Sequence, residues 1–234
     1  MPYLVHTAHA QSVALLLSAV GWILTIVTMG MVEWRVWEVS DPSVISSGLA
    51  WVGVWRVCFY SSAPILSENQ IMFCQKIGMF ESFTPPEIIA AQVLMLVAVM
   101  LGLMGNVSVV YGLRNIYFGL NPFKRIRLAL SAGGALFILT GVSTLIPVFW
   151  NLSSVAHNQT IVFPPAFRMP SAPEKQHIGL GIGVGIVASF LVVCSGLIVL
   201  SYRVPVGLTG IVKPEDKDMN DDGTDNPAFT RTDE

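Results

Sequence analysis

Two cysteines, Cys58 and Cys74, are the residues of this chain whose type and spacing point most directly to a defined chemistry. Residues 59–73 separate them, so that a disulfide between them would close a small loop. Catalytic patterns do not occur: the chain holds no C-x-x-C pair, no H-E-x-x-H motif and no serine nucleophile elbow. His6 and His9 stand three residues apart but lack the further ligands that a metal site needs. We therefore expect a non-enzymatic protein with no cofactor and no metal site, in which the two cysteines have a structural role.

Four long apolar stretches contain no Asp, Glu, Lys or Arg and predict membrane-spanning helices. The chain of 234 residues is 53% hydrophobic and only 12% charged, whereas an ordinary soluble domain is about one quarter charged. Each stretch exceeds the roughly 20 residues that an α-helix needs to cross about 30 Å of hydrocarbon. The first stretch lacks the basic segment of a signal peptide, so we interpret it as a retained span. The predicted spans are 11–31, 88–112, 128–150 and 178–202.

The charges between these spans indicate which side of the membrane each loop occupies. The loop 113–127 carries four basic residues and no acidic one, whereas the loop 32–87 carries three basic and six acidic residues. Because cytoplasmic loops are enriched in Lys and Arg, we place 113–127 and both termini in the cytoplasm. The loops 32–87 and 151–177 then lie outside the cell, while the segments 1–10 and 203–234 lie inside it.

This topology decides between the cysteine pairings. Cys58 and Cys74 both lie in the oxidising outer compartment, whereas Cys194 lies inside the fourth span. A Cys58–Cys74 disulfide is the one pairing that the topology permits, and two free thiols are the alternative. Closing a loop of this size would stabilise the fold by about 3 kcal/mol in the chain-entropy account.

The first outer loop carries the alternating pattern of a small β-sheet. Apolar residues alternate with charged ones over 32–36 and with small or polar ones over 49–57, which is typical of half-buried strands. Residues 70–75 predict a third short strand. Gly53 lies in the middle of the second, and a glycine there indicates a bulge or the close approach of another backbone. The predicted fold is a membrane α-helical bundle of four transmembrane helices with a small extracellular antiparallel β-sheet formed by the two outer loops.

The second outer loop contains two aromatic residues and two glycosylation sequons. Phe163 and Phe167 flank a Pro-Pro pair that has no backbone N–H to donate to a sheet. An apolar segment stiffened in this way suggests an intercellular contact site, and packing against the chain's own sheet is the alternative. Of the sequons at Asn151 and Asn158, the first adjoins the membrane, so that Asn158 is the candidate for glycosylation.

Several residues of the first outer loop occupy the positions of a family signature. They are Trp34, Gly53, Trp55, Cys58 and Cys74. In this order, between the first two of four spans, they resemble the W…G-L-W-x-x-C…C pattern of the claudins, the four-span tight-junction proteins. Residues 90–95, AAQVLM, are similar to the family's A-A-R-A-L-M, and the resemblance extends over residues 10–202. Val54 in place of Leu and Gln92 in place of Arg mark a divergent member of the claudin and peripheral-myelin-protein superfamily.

The resemblance implies a structural adhesion protein at the tight junctions of the plasma membrane. Such a protein polymerises within one membrane, and its outer loops meet those of the next cell to seal or tune the paracellular space. Its expected partners are copies of itself and other claudin-like proteins, in cis and in trans, together with the lipid bilayer and without nucleic acid. The alternative from the same superfamily is an accessory subunit of an ion channel or receptor, or an epithelial or myelin-type four-span membrane protein.

The tail from Val204 onward is polar and acidic and lacks apolar periodicity, so we predict that it is disordered. Its last residues are Thr232-Asp233-Glu234. A PDZ groove buries an apolar last side chain while it adds the peptide as a strand. The charge of Glu234 therefore argues against binding to a PDZ scaffold.

Overall fold

The computed structural model describes residues 2–40, 45–62, 70–118, 123–170 and 172–201. Its four long helices are α1 (Pro2–Gly30), α2 (Pro86–Phe118), α3 (Phe123–Ala156) and α4 (Leu180–Leu200). The predicted disorder of the tail and its predicted lack of PDZ binding concern residues outside the described ones.

Each of the four helices is long and apolar enough to cross a membrane, which confirms the predicted four-span bundle. Three of them, α1, α2 and α3, extend beyond their predicted spans, and the longest are α2 with 33 residues and α3 with 34. At about 1.5 Å per residue such helices measure roughly 50 Å, against about 30 Å of hydrocarbon. The ends of α2 and α3 therefore reach past the bilayer core.

Glycines bring the helix backbones into direct contact. A Cβ atom at Gly196 of α4 would lie 2.9 Å from the carbonyl oxygen of Gly134 in α3. A Cβ atom at Gly133 would likewise lie 3.2 Å from the carbonyl oxygen of Gly105 in α2. Because lipid supplies no hydrophobic driving force between helices, such close packing is a main source of their association.

The outer part of the described chain forms one antiparallel sheet of five strands. Its strands are β1 (Arg35–Glu38), β2 (Leu49–Val52), β3 (Arg56–Ser62), β4 (Gln70–Lys76) and β5 (Lys175–Ile178). They lie side by side in the order β4-β3-β2-β1-β5, and β1 pairs with both β2 and β5. Since β5 belongs to the second outer loop, the prediction that both loops build the sheet is confirmed.

Two predicted strands are wrong in their extent. The strand predicted over 32–36 begins only at Arg35, because residues 32–34 form the bend and turn that connect it to α1. Residues 49–57 do not form a continuous strand; the chain turns at Gly53 and returns as β3, with the Gly53 N–H donating to the Arg56 carbonyl at 2.9 Å. A Cβ atom at Gly53 would lie 2.7 Å from the carbonyl oxygen of Met31 and 2.8 Å from the Cα of Val32. The predicted close backbone approach is therefore confirmed, and it occurs in a turn that presses against the end of α1.

Candidate functional site

A disulfide closes the sheet on the side of β4. Cys58 of β3 and Cys74 of β4 stand directly opposite each other in the strand register and are bonded, which confirms the predicted pair. The alternative of two free thiols is wrong. The bridge spans a sequence separation of 16 residues, for which the chain-entropy account gives about 3 kcal/mol.

The two signature tryptophans join the sheet to the helices. Trp34 is fully buried and donates its indole N–H to the Thr28 carbonyl at 2.9 Å. Its ring packs in an apolar cluster that also contains Val54 and Ile182, and the half-buried Trp55 packs against the same cluster. We use the name outer domain for the five-stranded sheet and the described parts of the two outer loops, 32–85 and 157–179. Because the tryptophan rings pack toward the protein, they hold the outer domain on the helix bundle.

Phe163 and Phe167 are not exposed, so their predicted availability as intercellular contacts is wrong. Only 7% of Phe163 and 6% of Phe167 is accessible, and their ring centroids lie 5.4 Å apart. Phe163 also contacts Trp37 of β1 edge to face, and Phe167 contacts Phe83. The reason is that a short 3-10 turn, Pro165–Phe167, directs both rings onto the apolar inner face of the sheet, where burial stabilises them. The alternative, packing against the chain's own sheet, is what the structure shows.

We accordingly expect Phe163→Ala to destabilise the outer domain by about 3–5 kcal/mol, the usual cost of deleting a buried aromatic ring. The measurement is the thermal unfolding midpoint of the detergent-purified protein, together with the fraction that reaches the cell surface. Val162→Ala is the matched control, because Val162 is adjacent in sequence and its side chain is 68% exposed. An unchanged midpoint for Phe163→Ala would contradict the assignment of this ring to the core.

A buried ion pair fastens β1 to the helix bundle. Arg35 Nη2 lies 2.9 Å from Glu87 Oε1, with 1% and 6% of the two side chains accessible. Arg35 also donates to Asn151 Oδ1, at 2.7 Å from Nη2 and 3.3 Å from Nε. Ser154 donates to the same Glu87 oxygen at 2.9 Å. This buried polar cluster thus links β1, α2 and α3 through charge-assisted hydrogen bonds.

Asn151 has the central place in this buried polar cluster. Its Nδ2 donates to the carbonyl oxygens of Glu87 and Pro147 at 3.1 and 3.0 Å, while its Oδ1 accepts from Arg35. Burial lowers the pKa of the Arg35 guanidinium, and the hydrogen bond and charge of Glu87 act in the opposite direction. Arginine remains protonated in proteins because its ordinary pKa lies far above physiological pH, so Arg35 keeps its positive charge inside the cluster.

The sequence carried no signal for this arrangement. Arg35 and Glu87 lie 52 residues apart, and Arg35 and Asn151 lie 116 residues apart. Residues 84–87 instead suggest a capping box at the start of α2, in which Thr84 and Glu87 satisfy backbone N–H groups. That interpretation is wrong, because Thr84 donates to the Gly78 carbonyl at 3.4 Å and the Glu87 carboxylate is engaged by Arg35 and Ser154.

Gln92 supplies a second polar link between α2 and the sheet. Its Nε2 donates to the carbonyl oxygens of Val54 and Ile77, at 2.9 and 3.2 Å. These carbonyls belong to the turn before β3 and to the residue that follows β4. A glutamine in place of the family's usual arginine therefore still provides a donor at this junction.

Exposed apolar residues lie on the edge strand β4 and in the segment that follows it. Ile71, Met72 and Phe73 of β4 are each about half exposed. The chain then leads into Met79 and Phe80, and 78% of Phe80 is accessible. These exposed apolar residues, 71–73 and 79–80, are called the apolar surface beside β4 below. Met72 lies on the opposite face of β4 from Ile71 and Phe73. Val162 and Ile178, elsewhere in the outer loops, are exposed as well.

Four membrane helices that carry a disulfide-closed antiparallel sheet, built from two outer loops, define a class of four-span membrane protein. The family described as PMP-22/EMP/MP20/Claudin tight junction matches residues 19–201, and the chain belongs to it. Membership and fold together make the chain a multi-pass membrane protein with a claudin-like role at tight junctions.

Individual relatives match at low identity over most of their length. Claudin-3 of Rattus norvegicus is 27% identical over 184 residues, which cover 77% of this chain and 76% of that protein. Claudin-5 of Mus musculus is 27% identical over 195 residues, or 81% of each chain. Claudin-2 of Canis lupus familiaris is 27% identical over 198 residues, or 84% of this chain and 79% of that protein. The predicted resemblance to the claudins is therefore confirmed.

Proposed function

We propose that this chain is a structural, non-enzymatic adhesion protein that polymerises side by side in one membrane. Its outer sheet meets that of a chain in the next cell and so seals or tunes the paracellular space. Its partners are copies of itself and other claudin-like proteins, in cis and in trans. The observation that carries the proposal is the exposed apolar surface at residues 71–73 and 79–80.

Phe80 is the most unusual member of this surface. Its backbone φ is +67°, a left-handed conformation that is an outlier for a bulky residue. Such strain costs of the order of 1–3 kcal/mol, and strained residues of this kind cluster at functional and binding sites. A phenylalanine that is both strained and 78% exposed gains nothing for its own fold. It is suited to contact a neighbouring molecule, because aromatic anchors supply much of the free energy of protein interfaces.

The proposal places both termini and the connection between α2 and α3 in the cytoplasm. Lys124, Arg125 and Arg127 at the start of α3 are exposed and so are free to meet the cytoplasmic face. The sheet, at the opposite ends of the helices, then lies outside the cell. This arrangement agrees with the preference of Lys and Arg for cytoplasmic loops.

The test is expression of the full chain in fibroblasts that lack junctions, followed by freeze-fracture microscopy of cell contacts. We expect the wild type to form intramembrane strands and Phe80→Gly to reach the surface at a normal level but to form shorter or fewer strands. Glycine accepts a positive φ without strain, so the substitution removes the ring and preserves the turn.

Val162→Ser serves as the matched control for this experiment, because Val162 is an exposed apolar residue of the other outer loop. It should leave strand formation unchanged. If Phe80→Gly forms strands of normal number and length, the apolar surface beside β4 does not contribute to strand formation through Phe80. A wild type that reaches the surface and never forms strands would remove the proposed function itself and favour the accessory-subunit alternative.

A further inference from the structure

Three sequons for N-glycosylation have different surroundings. The Asn106 side chain lies inside the span of α2, where it donates to the Gly102 carbonyl at 2.8 Å and accepts from Ser18 at 2.9 Å. Asn151 is buried, and its amide already donates twice within the buried polar cluster. Asn158 is exposed, and its side-chain amide has no hydrogen-bond partner among the described residues.

The backbone around Asn158 turns this amide outward. The helix α3 ends in a Schellman motif, in which the Gln159 N–H donates to the Ser154 carbonyl at 2.9 Å and the Asn158 N–H to the Val155 carbonyl at 3.0 Å. The φ of Asn158 is +51°, the left-handed conformation that this motif requires. Asparagine is tolerated there, but the cap has no need of the exposed Thr160 that completes the sequon.

A polar groove of about 430 Å³ adjoins the Asn158 side chain. Its walls are built largely from side chains with amide, hydroxyl or charged groups. They are Asn158, Thr160, Glu174, Lys175, Gln176 and His177. Four of these residues come from β5 or the residue before it, so the groove runs along the strand at the edge of the sheet. Such donors and acceptors match the hydroxyl and acetamido groups of a sugar.

We propose that Asn158 carries an N-linked oligosaccharide whose first sugar lies in this groove and covers the edge strand β5. In the modification, Asn158 Nδ2 forms a bond to the anomeric carbon of an oligosaccharide that a lipid diphosphate carries. The bond from that carbon to the diphosphate oxygen breaks, the lipid diphosphate leaves with the electron pair, and one amide proton is released. No atom is oxidised or reduced.

The attached sugar would determine which edge strand of the sheet can contact a neighbouring chain. An edge strand presents unpaired N–H and C=O groups that can pair with another chain. Within the described residues, β4 and β5 are the two edges of the sheet. A glycan on β5 blocks that edge sterically, so lateral contacts are confined to the apolar surface beside β4.

The first experiment treats full-length protein from mammalian cells with peptide-N-glycosidase F and follows its electrophoretic mobility. The wild type and Thr160→Ser, which keeps the sequon, should shift by the mass of one glycan. Asn158→Gly and Thr160→Ala should run at the deglycosylated position without treatment. Asn158→Gly preserves the left-handed helix cap, so loss of the glycan in this variant cannot be attributed to misfolding of the cap. A wild type without a shift, or a shift that survives in both variants, overturns the proposal.

An epitope tag after Glu234 separates this proposal from the topology on which it rests. If antibody reaches the tag only in permeabilised cells and the wild type still shows no shift, the glycan proposal fails while the topology stands. If antibody labels the tag in intact cells, the topology and the glycan proposal fail together.

The second experiment tests whether the sugar covers β5. An amine-reactive biotin reagent is applied to the folded protein, and modification of Lys175 is compared with that of Lys76 by mass spectrometry. Both lysines are exposed, but Lys76 lies on the opposite edge strand. We expect the Lys175 to Lys76 labelling ratio to rise several-fold in Thr160→Ala. An equal ratio in wild type and Thr160→Ala would show that the glycan points away from the groove.

Discussion

Glu87→Ala is expected to prevent the chain from reaching the cell surface. The substitution leaves the buried Arg35 guanidinium without its counter-charge, and removal of one partner of a buried ion pair costs about 3–5 kcal/mol. A loss of this size is a large part of the 5–15 kcal/mol that stabilises a typical domain. Ser154 also loses one of its two acceptors, and Gln159 Oε1 at 3.1 Å remains. Surface biotinylation, with total protein as reference, measures the retained fraction.

The matched control is Glu38→Ala, which removes the exposed hydrogen-bonded contact between the Glu38 carboxylate and the His177 ring. That pair has the same N···O distance of 2.9 Å, but 40% and 54% of its side chains are accessible. Exposed pairs are worth about 0–1 kcal/mol, so this variant should traffic normally. Glu87→Gln keeps an acceptor beside Arg35 without the charge and should lie between the two. Surface levels of Glu87→Ala equal to those of Glu38→Ala would show that the buried polar cluster contributes nothing beyond an ordinary surface pair.

Gly179→Ala should be comparably damaging, although it adds a single methyl group. Gly179 joins β5 to α4, and its φ of −84° is open to any residue. A Cβ atom there would collide with the carbonyl group of Glu33 and lie 2.9 Å from the carbonyl carbon of Trp34. Overpacking costs typically 1–3 kcal/mol, and backbone atoms cannot rotate away as a side chain does. We expect a cost of about 3 kcal/mol, at the upper end of that range.

Gly183→Ala is the control for this substitution. Gly183 lies one helical turn further along, and its Cβ atom would meet nothing within 4 Å. Since alanine has the higher helix propensity, this variant should be neutral or slightly stabilised. Thermal unfolding midpoints of the two purified variants provide the comparison. A Gly179→Ala midpoint as high as that of Gly183→Ala would mean that the backbones of β1 and β5 can separate without cost.

The elements that local pattern specifies were predictable from the sequence. Uncharged stretches longer than a bilayer mark the four helices, because unpaired backbone groups and charges are both costly in lipid. The Cys58–Cys74 bridge followed from topology, since both cysteines lie in the same outer loop. Alternation of apolar and polar residues located β2, but it placed β1 about three residues too early and missed both the turn at Gly53 and the strand β5. The strand predicted over 70–75 matches β4.

The contacts between distant segments were not predictable in the same way. Whether Phe163 faces solvent or the sheet depends on the apolar face that Trp37 and Phe83 present, and those residues come from another loop. The pairing of Arg35 with Glu87 depends likewise on how β1 docks on the bundle. Hydrophobic periodicity indicates which face of a helix or strand is buried, but not which distant residue packs against it. A contact between distant segments therefore cannot be predicted from local sequence pattern.

The pairing of β1 with β5 determines how force passes through the molecule. Strand β1 continues from α1, and β5 leads into α4. Two hydrogen bonds connect the segment after α1 to the start of α4. The Gly179 N–H donates to the Trp34 carbonyl at 3.0 Å, and the Gly181 N–H donates to the Glu33 carbonyl at 2.7 Å. A tensile load that pulls the sheet away from the bilayer is therefore shared by two covalent backbones, each anchored by a membrane helix. The sheet is therefore attached to the membrane at two points. It should resist extraction and tilting better than a loop that is connected to a single helix.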